Sequence, residues 1–179
     1  MLRYRMLWIS SCVVALAILA SATVRDQVWA DGPPTQEEID FAHHAMDRLQ
    51  SELFAALLNE FAATTPQNFQ EGSLAIQLIF DNRNGAMRLV GDKAPLGGDN
   101  NLPADSFEIE SLAEALQGHD NEATEKIDGK WYVRRSVALS NFSLSCAICH
   151  TNFGSTPDPT EWTGALMLRV PTDLTNLPK

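Results

Sequence analysis

Cys146-Ala147-Ile148-Cys149-His150 is the stretch that decides how the rest of the chain is read. Two thiols three positions apart, followed at once by an imidazole, have the Cys-x-x-Cys-His form of a c-type haem attachment site. Each thiol can add to one vinyl group of a porphyrin. His150 is then placed beneath the ring, where its imidazole binds the iron as the proximal axial ligand. Cys12, the third cysteine of the chain, lies in an N-terminal segment that reads as removable. A structural zinc site needs about four ligands, usually two such pairs, and a second pair is missing. A thioredoxin-like redox pair wants a βαβ context, whereas a strand precedes this motif and a Gly/Pro/Thr loop follows it; a plain local disulfide is the remaining alternative and is set below the haem reading. One covalently attached haem c is the expected cofactor.

Working outward, a strand is expected immediately before the motif, over 130–139, where Trp131, Val133 and Val137 mix aromatic and β-branched residues. Asp128-Gly129 is a two-residue hairpin signal that joins it to a shorter strand over 125–127. After the motif, 151–163 reads as loop and 164–170 as a last strand closed by Pro171.

Towards the N-terminus, Thr35-Gln36-Glu37-Glu38 has the Thr-x-x-Glu form of a capping box. From it Ile39, Ala42, Met46, Leu49, Leu53 and Leu57 recur at three- and four-residue steps, which predicts one long helix ending near Ala63, before Thr64-Thr65-Pro66. The apolar run 73–80 is too short for periodicity to decide, and Gly72-Ser73 favours a helix start. A short strand is expected over 85–90 and a long loop over 91–103. Asp105 with Glu108 caps a second helix whose Ile109, Leu112, Ala113 and Leu116 are expected to face inward and which ends at Gly118. Helices first and antiparallel strands later predict an α+β domain.

Residues 1–30 read as a signal peptide. Arg3 and Arg5 form a basic start, 6–22 is largely apolar, and Val28-Trp29-Ala30 ends in a small-x-small manner. An uncleaved anchor is the competing reading. Cleavage leaves 31–179 as a single domain, 179 − 30 = 149 residues, enough for one core. It also makes the charge more lopsided, 13 − 3 = 10 Lys and Arg against 23 − 1 = 22 Asp and Glu, a formal net of −12. Nucleic acid and anionic membranes are thereby excluded as expected partners. A periplasmic or otherwise exported location is expected, with no stable membrane insertion of the mature chain.

The segment Gly97-Gly98-Asp99-Asn100-Asn101-Leu102-Pro103-Ala104-Asp105-Ser106-Phe107-Glu108 resembles the Asn-Pro-x-Asn-x-Pro-x-x-x-x-Glu signature of a family of exported single-haem c-type cytochromes with a PAS-like fold, some of which are sensory domains of histidine kinases. The order of elements is similar too, including Arg134-Arg135-Ser136-Val137-Ala138-Leu139 before the haem motif and the Gly-Ala-x-x-x-x-Val-Pro strand over 164–171 after it. The resemblance implies a PAS-like domain, helices packed on an antiparallel sheet, with one haem. Asp99-Asn100 departs from the family's Asn-Pro. Some members use an N-terminal cysteine as the second axial ligand, and no cysteine stands there in residues 31–145 of this chain.

The distal iron ligand must then come from His43, His44, His119, a methionine (Met46, Met87 or Met167), water, or nothing. His43 flanks the apolar stripe of the long helix, four residues after Ile39 and three before Met46, and its burial is otherwise awkward; it is the chosen candidate. His44 points away. Arg134 and Arg135 are the chosen partners for the haem propionates, with Arg88 and Arg169 as further candidates. The sequence carries no acid-base or nucleophile constellation, so an enzyme is not expected. One-electron transfer with an unidentified redox partner protein is the primary expectation, and a haem-based redox or gas sensor the alternative.

Overall fold

Thr35 opens the first helix as its sequence predicts. Its side chain accepts from the Glu38 amide while the Glu38 carboxylate accepts from the Thr35 amide, 2.7 Å away, a reciprocal capping box. The computed structural model describes residues 32–80, 86–91, 101–150 and 154–173. The expected signal peptide lies outside the described residues, and so does the centre of the expected 91–103 loop. Helix α1 runs Gln36–Ala63 and α2 runs Phe69–Phe80. The apolar run before Phe80 is therefore helical, but the helix starts at Phe69, earlier than the start that Gly72-Ser73 suggested, and Gly72 stands inside its first turn, where any Cβ would collide with the Thr64 hydroxyl.

Strands β1 (Met87–Val90), β2 (Asn121–Ile127), β3 (Lys130–Asn141) and β4 (Asp158–Pro171) form one antiparallel sheet in the order β1-β4-β3-β2. The β2–β3 hairpin turns at Asp128 and Gly129, both with positive φ (50° and 82°), the geometry that the Asp-Gly pair predicts. Both outer limits of the sequence reading move. β2 starts at Asn121 because its alternation of half-buried and exposed residues extends that far, and β4 starts at Asp158, since register shifts after Leu139 let Ser140 pair with Trp162 and Asn141 with Asp158.

Period-two alternation sends the two sides of β3 to different partners. Val133 and Val137 pack with Leu166 and Leu168 of β4 under Ala42, Met46, Leu53 and Leu57 of α1. The opposite face, with Met167 and Ala165 of β4, is covered by Phe107, Leu112 and Ala115 of helix α3 (Ser106–Ala115). Here the expected inward face of α3 is corrected. Ile109 is 60% exposed and Ala113 is exposed, while Glu108 and Ser111 are buried. Glu108 is drawn in by charge: its carboxylate lies 2.7 Å from Arg88 and 3.8 Å from Arg134 and accepts from the Ala104 amide. The helix is thereby rotated from the orientation that apolar spacing alone favours. Mixed α and β structure with a four-stranded antiparallel sheet is the architecture expected from the sequence.

Candidate haem attachment site

β3 delivers the chain to the motif. After Asn141, the Phe142 amide donates to Ser140 and Ser143 caps the short helix α4 (Leu144–Cys149), its hydroxyl accepting from the Ser145 amide at 3.3 Å. Within α4 the backbone positions 146 and 149 are three residues apart, and His150 is four from Cys146; these are the spacings that share one face of a helical turn. The His150 amide still donates to Cys146 at 2.9 Å, but His150 has extended φ and ψ (−117°, 90°), so the chain leaves the helix there. Cys146 is buried and His150 half-buried. Burial holds the His150 imidazole below its ordinary value, which favours the neutral form that binds a metal.

Two contacts fix α4 against the end of α1. The Ser145 hydroxyl lies 2.7 Å from the Phe61 carbonyl and 3.1 Å from that of Thr64, the last carbonyls of α1, which have no intrahelical donor. Phe61 and Phe142 meet edge to face, with ring centroids 5.2 Å apart. Beside this joint two leucines stand in solvent, Leu144 at 62% exposure and Leu58 at 53%. Leu58 is three residues before Phe61 and so lies on the same flank of α1. Two cysteines three backbone positions apart on one helical turn with a histidine at its cap, bordered by exposed aliphatic surface, fit a covalently held haem: Cys146 and Cys149 would hold the porphyrin and His150 the iron.

The remaining expected site residues are elsewhere. The structure places His43, the expected distal ligand, away from the motif. Its Nε2 lies 2.8 Å from Glu122 of β2, and eighteen residues of helix separate it from Phe61, about 27 Å at the α-helical rise. The awkward burial that singled it out does not arise, because the sheet edge supplies a carboxylate and leaves the ring a third exposed. Arg134 and Arg135, the expected propionate partners, are likewise placed away from the motif. They point to opposite faces of β3, Arg134 to Asp105 (2.9 Å) and Glu125 (2.9 Å), Arg135 to Asp47 (2.6 Å) and Glu122 (2.7 Å). Both stand six or more residues up the strand from Asn141, about 20 Å at the strand rise. Arg134 also covers the Phe107 ring, 4.2 Å from its centroid, and Arg169 covers Tyr132 at 4.9 Å.

The electrostatics of these arginines show in their partners. The hydrogen bond from Arg135 holds the Asp47 carboxyl below its usual range. Burial pushes Asp105 up, but the Glu108 amide and Arg134 outweigh it and leave its carboxyl lowered. Of the other distal candidates, Met46 is wholly buried in the α1 core, Met167 is buried under α3, Met87 packs against the α1 and α2 core, and His119 pairs with Glu114 at 3.2 Å. His44 is exposed on α1, one residue from His43.

Residues the sequence reading missed also shape the site. Asn141, Ser145 and Glu161 are polar side chains whose role depends on what lies across space. Only Asn141 carried a signal, an amide at the strand end where the chain turns into the motif. Neither a protein-family model nor a curated protein matches the sequence. Among the described residues no helix is long and apolar enough to cross a membrane.

Proposed function

We propose that this is an exported single-haem c-type protein with a PAS-like domain, and that its haem is a redox- or gas-responsive binding centre. The observation that carries the reading is the placement of Cys146, Cys149 and His150 on one turn at the end of β3, beside the exposed Leu58 and Leu144. When bound, the haem supplies one-electron chemistry and an iron able to take a small ligand. The chain's own part is to present two thiols and a neutral imidazole from a short, capped helix held by Ser145 and Phe142. Sensing is preferred to simple electron transfer because the side chains that would make a fully ligated iron are engaged elsewhere, His43 with Glu122 and Met46 and Met167 in the two cores. Electron transfer is the second reading. The formal net of −12 for residues 31–179 favours it, since an acidic surface steers a basic redox partner.

One experiment tests both levels. Protein expressed with a c-type maturation system should carry one haem that survives acid-acetone extraction, and the Cys146→Ala, Cys149→Ala double variant should lose it. The reduced wild type should then bind carbon monoxide readily. Bound zinc or unmodified thiols would end the haem reading, and a low-spin iron inert to carbon monoxide would return the assignment to electron carrier.

A further inference from the structure

The sheet ends on β2. In the order β1-β4-β3-β2 this strand bonds to β3 alone, in an unbroken register from Asn121↔Ser136 to Ile127↔Lys130. Asp128-Gly129 closes the hairpin as a two-residue turn, so Ile127 and Lys130 are a hydrogen-bonded pair and the pairs alternate from there. The main-chain groups of Ala123, Glu125 and Ile127 thus point to β3, and those of Glu122, Thr124 and Lys126 point out of the sheet. Two contacts agree with this phase. The Asn121 amide turns inward to the Ser136 hydroxyl at 3.1 Å, and the Glu122 amide takes the Asn121 side-chain oxygen at 2.9 Å instead of a β3 carbonyl. Glu122, Thr124 and Lys126 are exposed. Among the described residues nothing bonds the outward main-chain groups of Thr124 and Lys126.

An open edge is ordinarily blunted by shortness, a proline or a bulge. β2 is seven residues long, without a proline and without a register shift. It carries instead a charge pattern on one face: negative Glu122, neutral Thr124 and positive Lys126, on the side where Glu122 meets His43 and Arg135. Turned end for end about Thr124, this pattern is its own complement. Glu122 then stands opposite the partner's Lys126 and Thr124 opposite the partner's Thr124, with outward groups facing outward groups in the phase a ladder needs. Opposite charges and Thr–Thr pairs directly across an antiparallel pair both stabilise it. On the other face Glu125, whose carboxylate serves Arg134, meets only the partner's Ala123, so no like charges are directly opposed. A parallel pairing would set glutamate against glutamate and lysine against lysine.

We propose that β2 is a self-association edge: two copies of this chain pair antiparallel about Thr124 and join their sheets into one. The Asn121 cap stays on the Glu122 amide, and the ladder is made by the Thr124 pair and by each Lys126 amide donating to the carbonyl of the partner's Glu122. The pairing is independent of the haem.

Sedimentation equilibrium of the exported protein over a concentration series, up to about 1 mM as the weak end of the affinity scale, should show a reversible monomer–dimer equilibrium. Lys126→Glu sets like charges opposite each other at both ends of the pairing and leaves the backbone alone, and Thr124→Pro removes an N–H that β3 does not use. Each should raise the dimer dissociation constant about tenfold or more, since the two-fold axis makes every lost interaction count twice. Amide exchange by nuclear magnetic resonance reads the edge directly. The Thr124 and Lys126 amides should exchange fast in dilute protein and slowly in concentrated protein, while those of Ala123 and Glu125 stay slow in both. Should Thr124→Pro fail to fold, Lys126→Glu and the exchange pattern decide. A monomer over the whole range overturns the proposal. So does a dimer that either folded variant leaves intact, or one whose Thr124 and Lys126 amides stay fast, because another face would then hold it.

Discussion

His43 Nε2 stands 2.8 Å from Glu122 Oε1, and the other oxygen of that carboxylate takes the Arg135 Nε at 2.7 Å, so one glutamate ties the start of the long helix to the sheet edge. This pairing holds His43 away from the Cys146–His150 motif. The expected outcome for His43→Ala is an unchanged optical spectrum in both oxidation states and unchanged reactivity towards carbon monoxide. Because the pair is partly exposed, the stability loss should be no more than about 1 kcal/mol in urea titration. A new high-spin band in the variant would restore His43 as a ligand.

Glu108 should be far less tolerant. Its carboxylate is almost wholly buried between Arg88 and Arg134 and also holds the Ala104 amide. Glu108→Ala takes the buried carboxylate away from Arg88 and removes the acceptor of the Ala104 amide, for which a loss of about 3–5 kcal/mol is expected. Denaturant unfolding measures it. A loss below about 1 kcal/mol would mean that Arg134 is satisfied by Asp105 and Glu125 alone.

Gly118 and Gly129 offer a matched pair. Both have positive φ, 84° and 82°, but a Cβ at Gly118 would lie 2.5 Å from the Trp162 ring, whereas at Gly129 nothing lies within 4 Å. Gly129→Ala should cost about 1–2 kcal/mol for the left-handed backbone alone. Gly118→Ala should cost clearly more, because the indole must move as well. Equal thermal shifts for the two variants would contradict the close approach of α3's exit to β4.

The pH dependence has a definite sign. Asp105 has a lowered pKa in the fold, where burial is outweighed by the Glu108 amide and Arg134. A carboxyl lowered on folding stabilises the native state fully above its unfolded value, about 3.9, and that contribution is lost as pH falls through the lower folded value. Asp47, lowered by the Arg135 hydrogen bond, adds in the same direction. Stability from urea midpoints should therefore decline from pH 5 downwards, less steeply in Asp105→Asn, which starts from a lower value at pH 7. Parallel curves would show that these pairs contribute nothing to acid unfolding.

Ser145→Ala removes one hydroxyl from inside the motif and leaves the thiols and the imidazole in place. Since that hydroxyl serves the last carbonyls of α1, the loss should be about 1–3 kcal/mol. Covalent haem should still form, and mass spectrometry with thermal unfolding separates the two effects.

By itself the sequence determined what is local. The Thr35 capping box, the stripe from Ala42 to Leu57, the Asp128-Gly129 turn and the capping of α3 by Asp105 are each specified by residues a few positions apart, and each is present in the fold. The spacing of Cys146, Cys149 and His150 is of the same kind, since three- and four-residue steps on a helical turn need no distant partner. Tertiary structure decided everything that depends on what faces a side chain across space. Periodicity placed His43 beside a buried stripe, but only the sheet could bring Glu122 to it. Apolar spacing turned Ile109 inward, and the burial of Glu108 between two arginines from other strands turned it out again. The adjacent Arg134 and Arg135 look like one pair in the sequence, yet strand alternation sends them to opposite faces, each to its own carboxylates. Charge pairing acts through space between residues far apart in the chain, so no local pattern announces it.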